Sequence, residues 1–353
     1  SNASLGMGGD GSGPTSRTTT TATQGRGAAA GGVTPVCATA DSNPPIDEVS
    51  LVEYALRRAR EIGLVRILPY GAATKGLRGA GMTEMAMMAE AGAVAFSDAG
   101  APIGDALLFR RILEYAATFG LIVADHPEDP ALAAAGCMNE GELAMRMGLP
   151  GVPTAAEAIK VRRDLRLAEL TGARLHIPNI TCAESVEAIR QAKEAGLAVT
   201  CDASAPHFIL NEVAVSEYRT HAKISPPLRS EDDRRAIVRG LAEGVIDAAV
   251  SDHQPWDQDS KRQPFARAEF GAVGLETLLP MLMELTHSGS TPLLRALALA
   301  TCGPADAFDL EGGRLRAGAP ADLILFDPDR PWRIDPARFR SKGRNTPFEG
   351  KPV

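Results

Sequence analysis

The sequence predicts an α/β fold: a parallel, TIM-type (β/α)8 barrel with a small β appendage. Short apolar runs of strand length end near Cys37, Tyr70, Ser97, Asp125, Pro178, Asp202 and Asp252. Most are followed by a helical pattern, and seven β-α units in a row favour a parallel sheet. A chain of 353 residues also holds one barrel-sized domain of roughly 250 residues plus additions. Seven strands leave the first barrel strand apparently missing, and it is expected before Gly31.

Taken in order, Ser1-Asn2-Ala3 reads as an expression scar and is set aside. Gly8–Gly32 is rich in Gly, Thr and Ala, with Thr18–Thr21 in a row, so 1–24 is expected to be a flexible N-terminus. The barrel is assigned to 25–310. Within it, Ser50-Leu-Val-Glu53 and Thr181-Cys-Ala-Glu184 both have the capping-box spacing that starts a helix. Ser230-Glu-Asp-Asp233 opens a third helix, with carboxylates that suit its dipole. Gly312–Asp327 reads as a hairpin and then an extended strand, so 311–353 is assigned to a small β appendage and tail.

Composition excludes several classes. The net charge of −7 lacks the basic excess that nucleic-acid binding needs, and no apolar run approaches a membrane span. Cys37, Cys137, Cys182, Cys201 and Cys302 are scattered, with no Cys-x-x-Cys pair. That points to a cytoplasmic protein with neither a disulfide framework nor a thiolate zinc site.

The stretch Val245–Trp256 carries the chemical signal, because its apolar run ends in Asp252-His253. A carboxylate at the C-terminal end of a barrel strand points into the mouth, where it can bind a metal or take a proton. A lone Asp there more often caps the next loop. Its companions along the chain decide between the two.

The companions are Ala-Gly-Gly-Val-Thr at 30–34, Asn43-Pro44, Thr74-Lys-Gly-Leu77, Phe96-Ser-Asp98, Met138-Asn-Glu-Gly141 and Gly148-Leu-Pro-Gly151. Pro226-Pro-Leu-Arg229, Ser251-Asp-His253, the Phe270–Thr277 run and Ser341–Phe348 complete the series. In this order the motifs resemble the long bacterial dihydroorotases of the amidohydrolase superfamily, from about Gly31 to Gly350. The resemblance implies a mouth with one or two zinc ions. Its ligands are a His-x-His pair, a bridging acid, two further histidines and an Asp that shuttles the proton.

On this chain the resemblance places His126 and Asp252 at metal positions, Asp252 also at the catalytic one, and Asn43 at a substrate position. No His precedes His126, Ala99 stands where the bridging acid is expected, and Asn179 stands where a ligand His is expected. Ser225 and Trp256 replace a substrate-binding Asn and His. His126 and Asp252 therefore read as vestigial ligands, and no cofactor is expected. A non-catalytic dihydroorotase-like protein of pyrimidine biosynthesis, oligomeric and a structural partner of aspartate transcarbamoylase, is the reading this implies. Two alternatives stand beside it: an active zinc-dependent dihydroorotase or related cyclic-amide hydrolase with a rebuilt site, and a protein that keeps the mouth as a small-molecule pocket.

Overall fold

A computed structural model describes residues 2–4 and 21–353. Its strands are β1 (Asn2–Ser4), β2 (Pro35–Thr39), β3 (Arg66–Gly71), β4 (Ala95–Phe96) and β5 (Ile122–Ala124). They continue with β6 (Met138–Asn139), β7 (Gly151–Val152), β8 (Arg174–Ile177), β9 (Val199–Ser204) and β10 (Ala248–Val250). All seven runs read from the sequence are strands. Eight strands form one curled parallel sheet in the order β1-β2-β3-β4-β5-β8-β9-β10, while β6 and β7 pair separately. Among the described residues no ladder joins β10 back to β1. Helices cover the outside, which makes the molecule an α/β barrel-type fold.

The helix Ala106–Phe119 shows why the outer layer forms. Asp105 accepts hydrogen bonds from the N–H groups of Leu107 and Leu108, and Gly120 ends the helix in the left-handed region at φ 66°. Phe109, Ile112, Leu113 and Ala116 recur at helical spacing and are the buried face. Ser230 caps the helix Glu231–Glu243 through the Asp233 N–H, as its spacing predicts.

The other two capping boxes do not form. The helix Val49–Ile62 starts ahead of Ser50, whose hydroxyl donates to Glu48 instead. Thr181 gives its N–H and its hydroxyl to buried Glu157, so the helix Ala183–Glu194 begins without a side-chain cap. A desolvated carboxylate that lacked those donors would be far costlier than a bare helix end.

The N-terminus corrects the expectation of flexibility through 24. Residues 5–20, with Thr18–Thr20, lie outside the described residues, but a helix begins at Thr21 and runs to Ala30. It buries Thr21, Thr23, Gln24, Gly25, Gly27 and Ala28. The small residues that looked unpackable are what lets this helix approach the barrel. A Cβ on Gly25 would sit 3.3 Å from the Leu64 side chain, and one on Gly31 would lie 2.1 Å from the Leu275 carbonyl oxygen. A strand does occur before Gly31: β1, which includes Asn2 and Ala3 of the residues set aside as a scar, pairs from Asn2↔Cys37 to Ser4↔Thr39.

The C-terminus corrects the appendage. No strand occurs in 311–353; the only ladder contact among the described residues is an isolated bridge between Arg333 and Pro352. A strand requires a partner edge for its N–H and C=O groups, and no strand borders 312–327. From Ile334 onward the chain turns inward, and Ile334, Phe339 and Phe348 join the main core. The boundary at 311 therefore cuts off a segment that is part of the barrel body.

Candidate functional site: the barrel mouth

Ala99, His126, Asn179 and Asp252 lie just beyond the C-terminal end of a strand, where an α/β barrel places its site, while Asn43, Ser225 and Trp256 lie in the loops that follow β2, β9 and β10. Ala99 follows β4, Asn179 follows β8 and Asp252 follows β10, with φ of 54°, 53° and 40°. The left-handed region is costly for residues with a Cβ, and such strain collects at functional sites. Among the described residues, three of the seven non-glycine residues with positive φ are thus positions that the family resemblance assigns to metal ligands.

Asp98, the acid beside Ala99, is not turned to the mouth's use. It accepts the Thr74 N–H at 2.8 Å and also the Thr74 hydroxyl, tying β4 to the loop after β3. Burial pushes its carboxyl up to about 6 despite those bonds.

His126, just past β5, is buried, and its Nε2 meets Glu128 at 2.9 Å. The Ser225 hydroxyl donates to the same Glu128 oxygen at 2.7 Å. Burial pushes the Glu128 carboxyl up, but the bonds from His126 and Ser225 and the charge of Arg229 outweigh it and hold it low. Glu128 is therefore a carboxylate, and it brings together two of the predicted positions, His126 and Ser225.

Asn179 is buried, and its N–H donates to Asp202 at 2.6 Å. The second Asp202 oxygen accepts His176 Nε2–H at 3.0 Å, while His176 Nδ1 faces the Thr200 hydroxyl at 2.9 Å. The Asn179 Oδ1, like the second Glu128 oxygen, is buried without a partner. Asp252 accepts from the Gln254 amide at 3.0 Å. Trp256 is fixed from both ends: its N–H donates to Asn345 Oδ1 at 3.0 Å and its indole N–H to the Phe270 carbonyl at 2.6 Å. Asn43 stands apart, exposed, before a cis bond to Pro44.

Below the mouth, Lys160 is fully buried between Asp125 and Asp164, and Asp125 also accepts the Ile103 N–H. Arg229 donates to Asn139, the Val152 carbonyl and Thr181, and approaches Glu157 at 3.9 Å. Glu128, Asp202, His176 and Lys160 escaped the sequence reading. Of these, Asp202 carried a signal of position, because it ends an apolar run.

The donor set does not fit a zinc site. Zinc takes at least three protein ligands with an open position for water. Ala99 offers no donor atom, and Asn179 offers a neutral amide where an imidazole is needed. His126 is engaged with Glu128, and Asp252 accepts from Gln254. Among the described residues no group of three or more His, Cys, Asp or Glu could hold a metal ion. The mouth holds a set of mutually hydrogen-bonded polar groups. No helix among the described residues is long and apolar enough to cross a membrane.

Comparisons with known proteins bear on the family and the fold. A dihydro-orotase-like family model matches residues 12–185, and an amidohydrolase family model matches 273–353. The chain is 44% identical over 326 residues to the dihydroorotase of Desulforapulum autotrophicum, covering 92% of this chain and 76% of that protein. It is 43% identical over 323 residues to the dihydroorotase of Syntrophotalea carbinolica, with the same coverage. Among solved structures, the L-hydantoinase of Arthrobacter aurescens superposes with a TM-score of 0.79 at 26% identity, over 93% of this chain and 76% of that one. The dihydropyrimidinase of Brevibacillus agri, with a TM-score of 0.80 at 21% identity over 94% of this chain and 76% of that one, shares the fold.

Proposed function

The chain belongs to the dihydroorotase family, and from that membership we propose a dihydroorotase-like protein of pyrimidine biosynthesis that does not catalyse. In this reading it serves as the structural partner of aspartate transcarbamoylase. The observation that supports it is the pair Ala99 and Asn179, which lie at the strand ends with left-handed backbones at φ 54° and 53° and stand where the resemblance expects a carboxylate and an imidazole. Hydrolysis of a cyclic amide requires an activated water and a held carbonyl. Here His126 is committed to Glu128, and Ser225 is drawn to the same carboxylate. Trp256 is locked to Asn345 and Phe270 at a position assigned to substrate.

The scaffold beneath is fully built, and this supports retention of a rigid body for a structural role. Lys160 neutralises Asp125 and Asp164, and Arg229 ties the loop after β9 to the β6–β7 ladder and to Thr181. Three measurements on the purified chain test the proposal: zinc content, turnover of dihydroorotate, and co-elution with the catalytic chain of aspartate transcarbamoylase. The expected results are well under one equivalent of zinc, no turnover, and a stable complex. Stoichiometric zinc with measurable hydrolysis would establish an active enzyme. Failure to co-elute would remove the partnership while leaving the loss of catalysis standing.

A further inference from the structure

Two buried lysines tie down residues 257–270, a segment that follows β10 at the rim of the mouth and returns at Phe270. Lys223 is 2% and Lys261 3% exposed. Lys223 Nζ donates to the carbonyls of Ala266 at 3.1 Å and Ala268 at 2.7 Å, and it lies 4.3 Å from the centre of the Phe270 ring. Lys261, at the end of the short helix Gln258–Lys261, donates to the Glu269 carbonyl at 2.6 Å and to the Lys223 carbonyl at 3.5 Å. All four acceptors are neutral backbone carbonyls, and an ammonium buried without a counter-ion is costly. The two heads differ in what they need. Lys223 serves two carbonyls and presents its charge to an aromatic face, whereas the two carbonyls on Lys261 are satisfied by the two N–H groups of a neutral amine.

We propose that residues 257–270 form a strap on the rim of the mouth, latched while Lys261 is a neutral amine and released when Lys261 takes a proton. Protonation puts a second ammonium beside Lys223 in a site that offers only carbonyls, and buried like charges repel. The latch bears on a mouth residue. The Trp256 indole N–H donates to the Phe270 carbonyl at 2.6 Å, and the next N–H, that of Gly271, donates to the Lys223 carbonyl at 2.9 Å. The charged groups around the pair leave the switching to the lysines. Glu269 of the strap faces both. His221, flanked by Arg219 and Glu349, faces Lys261, and burial pushes it down, so it is neutral above pH 7. Cys137, beside Lys223, is pushed up by burial and stays a thiol. Burial first, and the Lys223 charge second, push Lys261 down from 10.5 to about 7, and burial pushes Lys223 the same way. A value depressed in the latched state makes latching weakest below 7, and strengthens it as pH rises from 7 toward 10.5 by up to about tenfold per pH unit. The inference does not depend on whether the mouth is catalytic.

Amide hydrogen exchange of the 353-residue chain from pH 7 to pH 9, corrected for the intrinsic rate at each pH, tests it. The strap amides should open ahead of those in the helix Ala106–Phe119, with protection that rises by about tenfold per pH unit. Lys261→Met keeps the apolar stem and removes the charge, so its strap should be protected equally at every pH. Lys261→Arg holds the charge throughout the range, so its strap should be open at every pH. The wild type should move from the arginine level toward the methionine level as pH rises. The Lys261 ε-carbon NMR signal of the wild type needs no variant, and it should titrate near 7. Titration at the ordinary 10.5, strap protection that ignores pH in the wild type, or a pH slope kept in Lys261→Met would each overturn the proposal. Strap and helix amides that exchange together would overturn it as well, because the strap would then have no opening of its own.

Discussion

Restoring the two missing donors, Ala99→Asp with Asn179→His, separates the loss of metal from the loss of catalysis. Both positions have left-handed backbones, at φ 54° and 53°. That conformation costs a residue with a Cβ about 1–2 kcal/mol, and Asp and His tolerate it better than Ala. The backbone therefore accepts the substitutions. The apo variant pays instead for a second carboxylate beside Asp98, whose own carboxyl burial has already pushed up to about 6. Zinc relieves that repulsion. With His126 and Asp252 the variant has four donors, and zinc at a hundred times its Kd should stabilise the native state by about 2.7 kcal/mol. Thermal unfolding with and without zinc reads this as a rise in Tm of a few degrees in the variant and none in the wild type. Dihydroorotate turnover should stay undetectable, because Ser225 is bonded to Glu128 and Trp256 is fixed by Asn345 and Phe270. A reacting carbonyl misplaced by about an ångström loses on the order of a hundredfold in rate. Clear turnover by the double variant would refute the reasoning and make the chain an enzyme short of two ligands.

Further outcomes follow from the scaffold. Lys160→Met leaves Asp125 and Asp164 buried with only Arg163 beside them, and should lower stability by about 3–5 kcal/mol in urea unfolding. Adding Asp164→Asn should recover part of that loss. Gly274→Ala places a Cβ 1.9 Å from the Ser251 carbonyl oxygen, next to Asp252, so a denaturant midpoint shift of at least about 1–3 kcal/mol is expected. Acid lability should come from two histidines, since burial pushes His207 down to about 4 and His253 down to about 3. A depressed folded value means that stability is complete above the ordinary 6.5 and is lost as pH falls from there toward 4 and 3. For His207 the fall from 6.5 to about 4 amounts to roughly 3 kcal/mol. Asp98 works in the opposite direction: its raised carboxyl favours the folded state at low pH, an advantage lost as pH rises through about 6. Tm measured from pH 7 to pH 4 should therefore fall, and fall less steeply in His207→Gln.

The sequence by itself determined the sheet. Strand length, apolar content and the helical periods between the runs are local properties, and all seven predicted runs became strands. It also placed Ala99 and Asn179, by resemblance, at positions where the family carries metal ligands, and neither side chain is an acid or an imidazole. Tertiary structure decided everything that depends on a distant partner. The Thr181 box lost to Glu157, which lies 24 residues away in sequence and offers a buried carboxylate. The Gly- and Ala-rich stretch after Thr21 looked too poor in side chains to pack, yet Leu64, Leu275 and Ser341 supply surfaces that only small residues can approach. The hairpin read at Gly312 required an edge that the described fold does not provide, so no strand forms there among the described residues. His126 could be read as a ligand from its resemblance, but the Glu128 oxygen it meets is shared with Ser225, which approaches from 97 residues further along the chain. Local pattern selects the conformation of a segment; which polar groups meet in a desolvated site is settled only when distant strands bring their ends to one mouth.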